Sequence, residues 1–378
     1  MKNKLDKILL STDIGSDVDD ALSLLAMLNS DIGLKGIYTV NGDVLARAYI
    51  AKHMVNLAKK PIEVGIGEAK PIGGEVDPYS FLEECYVDES FIDEKKIYAI
   101  DRAFKSPEET GVISNGLEAM AKKLSDSPKV VFSIGPMTNI AQLLKKYPQS
   151  AENICHLYVM GCKFNEKSHE HNVRFDIPAA TQVFESNIPI TVIPQELCLK
   201  YKMPTKQLEQ IQSPTGLYVK KMAKGLIGAK IVASMLHLHG QISNKISLKE
   251  HIRGLIGFKP EMAINLEDIF DYQYAAFEPE NYLEKYQRLI EELKNSKSLY
   301  PGSNALALIL NGNIPQDFSV ADVYVPYCFL NPDKIKTEKA NIRIDEKGVG
   351  TREKGSKHSI VTDIDFTDFQ KFIKEYIQ

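Results

Sequence analysis

Short apolar runs alternating with helix-like stretches fill the first half of the chain, and that rhythm admits few folds. Lys7–Thr12 (KILLST) reads as a buried strand; a polar, Gly-containing stretch follows, and Ala21–Leu28 (ALSLLAML) then reads as a helix. The pattern recurs with strands at Leu34–Val40, Ile62–Ile66, Lys129–Ile134, Ile154–Met160 and Ile188–Ile193, and with helices at Ala46–Ala58, Asn139–Lys145 and Ala179–Ser186. Strands that are apolar throughout are those covered on both faces. Strands alternating with helices predict a parallel sheet between two helical layers. The expected fold class is therefore α/β, with a mostly parallel, Rossmann-like central sheet flanked by helices.

From about Thr205 to Leu310 the pattern turns mostly helical, with amphipathic stretches at Leu217–Leu238 and Pro279–Leu293. Val323–Leu330, Ala340–Ile344 and His358–Ile364 read as returning strands, and Phe366–Ile377 as a closing helix. No internal repeat or low-complexity linker separates these sections. The expectation is one domain over 1–378, with a helical insertion at about 205–300 covering the active site. The acidic stretch Glu83–Glu94 reads as a solvated loop.

Composition narrows the partners. With 44% hydrophobic and 25% charged residues in 378, the chain is of soluble globular type and can bury a large core. Its 46 Lys+Arg against 50 Asp+Glu give a net charge of -4, which argues against nucleic acid or an anionic membrane as partner. Cys85, Cys155, Cys162, Cys198 and Cys328 form no C-x-x-C pair, so neither a disulfide framework nor a zinc knuckle is expected. The first residues lack an apolar signal core, and no run approaches the roughly 18 apolar residues of a membrane span. A cytoplasmic protein is the expectation. There is no Trp, so ring stacking falls to Tyr and Phe.

Asp13, Asp17, Asp19 and Asp20 crowd the turn between the first strand and the first helix. In open α/β sheets, ligands bind beyond the carboxyl ends of the strands. Helix capping accounts for one or two acids there. Four crowded carboxylates repel one another unless a cation sits among them. With no Cys or His in the cluster, an all-oxygen site for calcium, magnesium or manganese fits better than zinc. An EF-hand is excluded, because Val18 stands where its Gly belongs and Leu24 where its Glu belongs. Gly15 stands where a haloacid-dehalogenase-like phosphatase needs its second Asp. Gly65-Ile66-Gly67 lacks the third Gly of a dinucleotide fingerprint.

Ser11–Leu22 (STDIGSDVDDAL) resembles the aspartate signature of the inosine-uridine-preferring nucleoside hydrolases. Three further blocks follow in the same order. Gly36–Asp43 (GIYTVNGD) resembles the family's second-strand segment, and Ser133–Ala141 (SIGPMTNIA) its G-P-L-T-N-I-A block. Val159-Met160-Gly161, Glu170–Val173 (EHNV) and Asp176–Ala180 (DIPAA) resemble its M-G-G…E-F-N…D-P-x-A-A block. The resemblance is dense over about residues 5–195 and thin beyond.

The resemblance implies calcium-dependent hydrolysis of the N-glycosidic bond of a ribonucleoside, releasing base and ribose in purine or pyrimidine salvage, by a homo-oligomer (dimer or tetramer). It implies that Asp13 is a metal ligand and general base, Asp20 a bidentate metal ligand, and Ile134 a ligand through its backbone carbonyl. Asp19 matches the ribose-contacting Asp, although two extra residues in this loop leave Asp17 as an alternative. Glu170 and Asn172 match residues on the ribose 5′- and 3′-hydroxyls, and Asp43 stands where an Asn usually faces the sugar. Asp13 and Asn172 are thus the catalytic candidates. Cleavage passes through an oxocarbenium-like state that carboxylates and amide oxygens stabilise.

The family's last motif, a His-Asp pair opening a helix (H-D-P-L-A-x-A), finds its match at Gly302–Leu308 (GSNALAL). Asn304 would then be the last metal ligand, and Ser303 would replace the His linked to leaving-group activation. A hydroxyl is a poor general acid. His237, His239 or His251 could substitute, and Tyr218 could stack on the base. Two readings follow: an active N-ribohydrolase, and a catalytically weak or inactive ribose- or nucleoside-binding protein of the same fold.

Overall fold

The computed structural model describes residues 7–73, 87–91, 104–164, 168–220, 222–223 and 317–378. The helical elements used below are α1 (Asp19–Asn29), α2 (Val44–Leu57), α3 (Gly116–Asp126), α4 (Thr138–Lys146), α5 (His171–Phe175), α6 (Ile177–Glu185), α7 (Tyr324–Leu330) and α8 (Phe366–Tyr376). The strands are β1 (Ile8–Thr12), β2 (Leu34–Thr39), β3 (Glu63–Gly65), β4 (Lys129–Ser133), β5 (Ile154–Met160), β6 (Ile190–Ile193), β7 (Met203–Pro204), β8 (Asp317–Phe318), β9 (Ile335–Ile344) and β10 (Gly350–Ile364).

Eight strands form one sheet in the order β3-β2-β1-β4-β5-β6-β10-β9. Every neighbouring pair is parallel except β10 with β9. The expected α/β class and mostly parallel sheet are thereby found. β1 shows why the apolar runs are continuous: Ile8 and Leu10 face one hydrophobic layer, with α1, α2, α7 and α8, while Leu9 faces the other, with α3, α4 and α6. A strand with helices on both sides has no wet face to carry polar residues. Among the described residues no helix is long and apolar enough to cross a membrane.

Sheet order decides where a ligand fits. From β1 the chain winds outward through β2 and β3, then returns to place β4 on β1's other flank. The loops after β1 and β4 therefore diverge, leaving a crevice at the carboxyl ends of the two strands. Asp13 follows β1 directly, and Ile134-Gly135 follows β4.

One expected strand is corrected. Val323–Leu330 is not extended: Ala321–Val323 is a 3-10 turn and Tyr324–Leu330 is α-helical. The run VYVPYCFL is rich in β-branched and aromatic residues, which favours a strand by propensity. Packing overrides that preference. Tyr324, Val325, Tyr327 and Cys328 are buried, and the Phe329 ring lies 5.4 Å from Phe132 and 5.7 Å from Tyr158. Pro326 falls in the first turn, where its missing N–H costs no helical hydrogen bond.

β7 and β8 pair antiparallel as a two-residue ribbon. Residues 204 and 317 are thereby brought side by side, and Leu208, Ile211, Val219, Met222 and Ala223, which follow β7, are buried in the first hydrophobic layer. Residues 214–220 are helical, at the start of the expected stretch Leu217–Leu238. The rest of that stretch, except 222–223, lies outside the described residues, as do Pro279–Leu293 and all of Glu83–Glu94 except 87–91.

Candidate active site

Thr12, the last residue of β1, donates its hydroxyl to Asp20 Oδ1 at 2.5 Å and accepts from Ile14 N at 3.2 Å. The loop then turns through Gly15, at φ 114, a backbone that a side chain would strain. Val18 precedes α1 without a side-chain cap, and Asp17 accepts from Val18 N at 2.8 Å. Asp19 and Asp20 fall in the first turn of α1, where the helix dipole favours negative charge. Capping does not account for Asp20, whose carboxylate turns back to Thr12.

Asp19 and Asp20 meet a third carboxylate. Ligand oxygens of Asp19, Asp20 and Asp322 lie within 4.8 Å of one another. Asp322 sits in the turn that opens α7, and its backbone carbonyl accepts from Ser23 Oγ of α1 at 2.9 Å. Asp13, Asp20 and Asp322 are buried, at 5%, 4% and 4% exposure. Burial first, then Asp13 and Asp19, raise Asp20 well above the usual carboxylate range. Burial first, then Asp19, Asp20 and Asp13, do the same to Asp322. Buried like charges of this kind are relieved by protons or by a cation.

Asp13 comes up against the end of β4. A methyl group built on Gly135 would stand 2.5 Å from Asp13 Oδ1 and 2.9 Å from Asp13 N, so only glycine permits this approach. The carbonyl of Ile134, one residue earlier, accepts from Asn172 Nδ2 at 2.9 Å. The same nitrogen reaches the Met160 carbonyl at 3.2 Å. Asn172 thus ties the ends of β4 and β5 together.

Glu170 caps α5, accepting from Asn172 N, Val173 N and Cys162 N at 2.9, 3.1 and 3.3 Å. Burial raises its pKa, and those backbone donors oppose the rise. Cys162 stands where the family has its second Gly, and its φ of 69 is the left-handed backbone that glycine adopts freely.

The remaining candidates separate. Asp43 is the N-cap of α2, accepting from Ala46 N at 2.9 Å. The Tyr218 ring packs 4.6 Å from His53 of α2. Asp17 is not among the three clustered carboxylates. Ser303, Asn304, His237, His239 and His251 lie outside the described residues.

Three residues went unnoticed in the sequence. Asp322 immediately precedes the run Val323–Leu330 that reads as a strand. Its signal is an Asp in the turn that opens a helix. Asn41, after β2, has φ 65 and is buried, and its side-chain amide makes no hydrogen bond among the described residues. Arg47 of α2 is fully buried beneath the acid loop.

A doubly wound sheet with buried acids at its reversal point places oxygen donors where open α/β sheets bind their ligands. The family model for inosine-uridine preferring nucleoside hydrolases matches residues 8–371, and the chain belongs to that family. A curated relative, the pyrimidine-specific ribonucleoside hydrolase RihA of Salmonella agona, is 27% identical over 216 residues, 54% of this chain and 65% of that protein. The chain thus spans just under two thirds of such relatives. Among solved structures, a plant nucleoside hydrolase, PpNRh1, aligns over 98% of both chains with TM-score 0.61 and 13% identity. A purine-preferring ribonucleoside hydrolase from Gardnerella vaginalis aligns over 98% of both with TM-score 0.60 and 17% identity. At these identities the structures speak for the fold alone.

Proposed function

We propose that the chain is an N-ribohydrolase that cleaves a ribonucleoside to free base and ribose, with calcium held by its acid cluster. The observation that carries this reading is the meeting of buried Asp20 and Asp322 with Asp19, beside Asp13, at the sheet's reversal point. The donors are all oxygen, which suits a hard dication. Asp13, Asp20, Asp322 and the Ile134 carbonyl would hold the ion, and Asp19 would meet the ribose. A dication bound there supplies an acidified water and a counter-charge for the sugar hydroxyls.

The chain's own groups do the rest. Asp13 takes the proton of the water as its oxygen bonds to the anomeric carbon, while the bond to the base breaks and its electron pair leaves with the base. Asn172 has its nitrogen committed to two carbonyls, which leaves the amide oxygen for the positive charge that develops on the sugar. Glu170 holds a ribose hydroxyl from a helix N-terminus.

Taking Asp322 rather than Asn304 as the family's last Asp puts Ala321, rather than Ser303, in place of its His; neither residue is an effective acid, which favours the second reading, a ribose or nucleoside binder with little catalysis. A panel of purine and pyrimidine ribonucleosides, assayed for reducing sugar, separates the two. Release that stops with chelator and returns with calcium is expected. Saturable binding without release from any nucleoside overturns hydrolysis, and chelator-insensitive release overturns the cation.

Gly135→Ala tests the placement of Asp13. Misplacing a catalytic group by about 1 Å costs on the order of a hundredfold in rate. The expected result is a loss of that size in kcat with unchanged circular dichroism. Wild-type kcat would show that Asp13 does not act at this spot.

A further inference from the structure

Arg47 is an expensive residue to bury, and its contacts show what it holds. It lies in the first turns of α2 at 0% exposure. Its Nε donates to the Asn41 carbonyl at 2.7 Å. Its Nη1 donates to the Asp13 carbonyl, to the Ile14 carbonyl at 3.0 Å and to Ser16 Oγ at 3.3 Å. One rigid fork therefore joins the loop after β1 to the loop after β2. Asn41 is itself in a left-handed conformation, and Ser16 donates back to the Asp13 carbonyl at 3.4 Å. The positive charge also opposes the upward push on the Asp20 carboxyl.

This loop carries two more residues than the family signature it resembles, so it has more backbone freedom to lose. Backbone carbonyls facing inward need donors, and a planar guanidinium can serve several at fixed angles where an ammonium cannot. We propose that Arg47 is a positioning residue: it holds the lengthened acid loop in its working shape before any cation or sugar arrives, so that Asp13 is presented ready to act. The functional consequence rests on the calcium-dependent reading above; the ordering of the loop does not.

Hydrogen exchange on the metal-free protein tests the ordering directly. In the wild-type chain, amides of residues 13–18 and 41–43 are expected to be protected to a degree comparable with β1. In Arg47→Lys, which keeps the charge but not the fork, they should exchange about tenfold faster, with α3 and α4 unchanged. Calorimetric titration with calcium alone should show affinity falling about tenfold in the Lys variant, in the range found when a group supporting a metal ligand is lost. Where substrate is turned over, kcat should fall more than KM rises.

Unprotected loops in the metal-free wild-type protein would overturn the proposal without recourse to any variant, so a variant that fails to fold does not shield it. Equal exchange in wild type and Arg47→Lys, or faster exchange spread evenly over the whole chain, would overturn it too. A wild-type protein with protected loops that binds no calcium would instead defeat the calcium reading and leave the positioning role standing.

Discussion

Asp322→Asn is expected to abolish nucleoside cleavage, by at least about a thousandfold, while making the metal-free protein more stable. The first half follows from charge. A cation that stabilises a transition state by several kcal/mol is worth orders of magnitude in rate, and Asp322 supplies one of the clustered carboxylates that would hold it. The second half follows from burial. In the metal-free chain Asp322 is an acid among acids, raised by burial first and then by Asp19, Asp20 and Asp13. Removing its charge removes that repulsion, while the Ser23 bond goes to its backbone carbonyl and survives. Most buried polar substitutions lower both activity and stability, so opposite signs are diagnostic. Reducing-sugar assays and thermal melts in chelator provide the check. A variant that keeps wild-type rate, or that melts lower than wild type in chelator, would show that Asp322 is a structural acid. Asp17→Asn is expected to change neither quantity much, since Asp17 is not among the three clustered carboxylates.

The gap between melts in calcium and in chelator should widen as pH rises. Asp20 and Asp322 keep their protons to higher pH in the folded chain than in the unfolded one. Their contribution to metal-free stability is therefore fully present below the ordinary carboxylate pKa of about 4, and is lost as pH rises through their raised folded values. Calcium acts in the other direction, because it binds the deprotonated form and displaces the protons. At about a hundred times its Kd, a ligand that binds only the folded state adds about 2.7 kcal/mol, or roughly 5–10 °C at about 2–4 °C per kcal/mol. His358, pushed down to about 4 by burial and Lys357, works oppositely, since it loses stability as pH falls from about 6.5 toward 4. Comparing calcium with chelator at each pH cancels that term. No gap at pH 8, or a gap that shrinks with rising pH, would remove the cation from these acids.

How much of this was legible depended on whether position in the chain and position in space coincided. The doubly covered strands announced themselves, because a strand with two dry faces leaves a continuous apolar run. The acid loop was equally plain, since Asp13, Asp19 and Asp20 are neighbours in sequence as well as in space. Asp322 belongs to the same cluster but comes from the far end of the chain, just ahead of a run whose residues favour strand by propensity and which instead packs as a helix on α1 and β5. Asn172 and Glu170 were found by resemblance, yet their structural roles, bridging two carbonyls and capping a short helix, follow only from coordinates. The C-terminal hairpin was underread for the opposite reason. β9 begins at Ile335 and β10 at Gly350, ahead of the apolar stretches, because an exposed edge is protected by charge rather than by pattern.

The β7–β8 ribbon has an evolutionary consequence. The segment between its two strands is pinned together at both ends, and the first part of that segment, through Ala223, is packed into the core. Its length enters the folding free energy only logarithmically, with each doubling costing about 0.6 kcal/mol. Beyond the core residues that end at Ala223, length can thus change at little cost to the strands that carry Asp13 and Ile134. Chemistry held at the sheet and variation held beyond the ribbon can drift at different rates. That fits a chain whose likeness to its family is dense before residue 195 and thin after it.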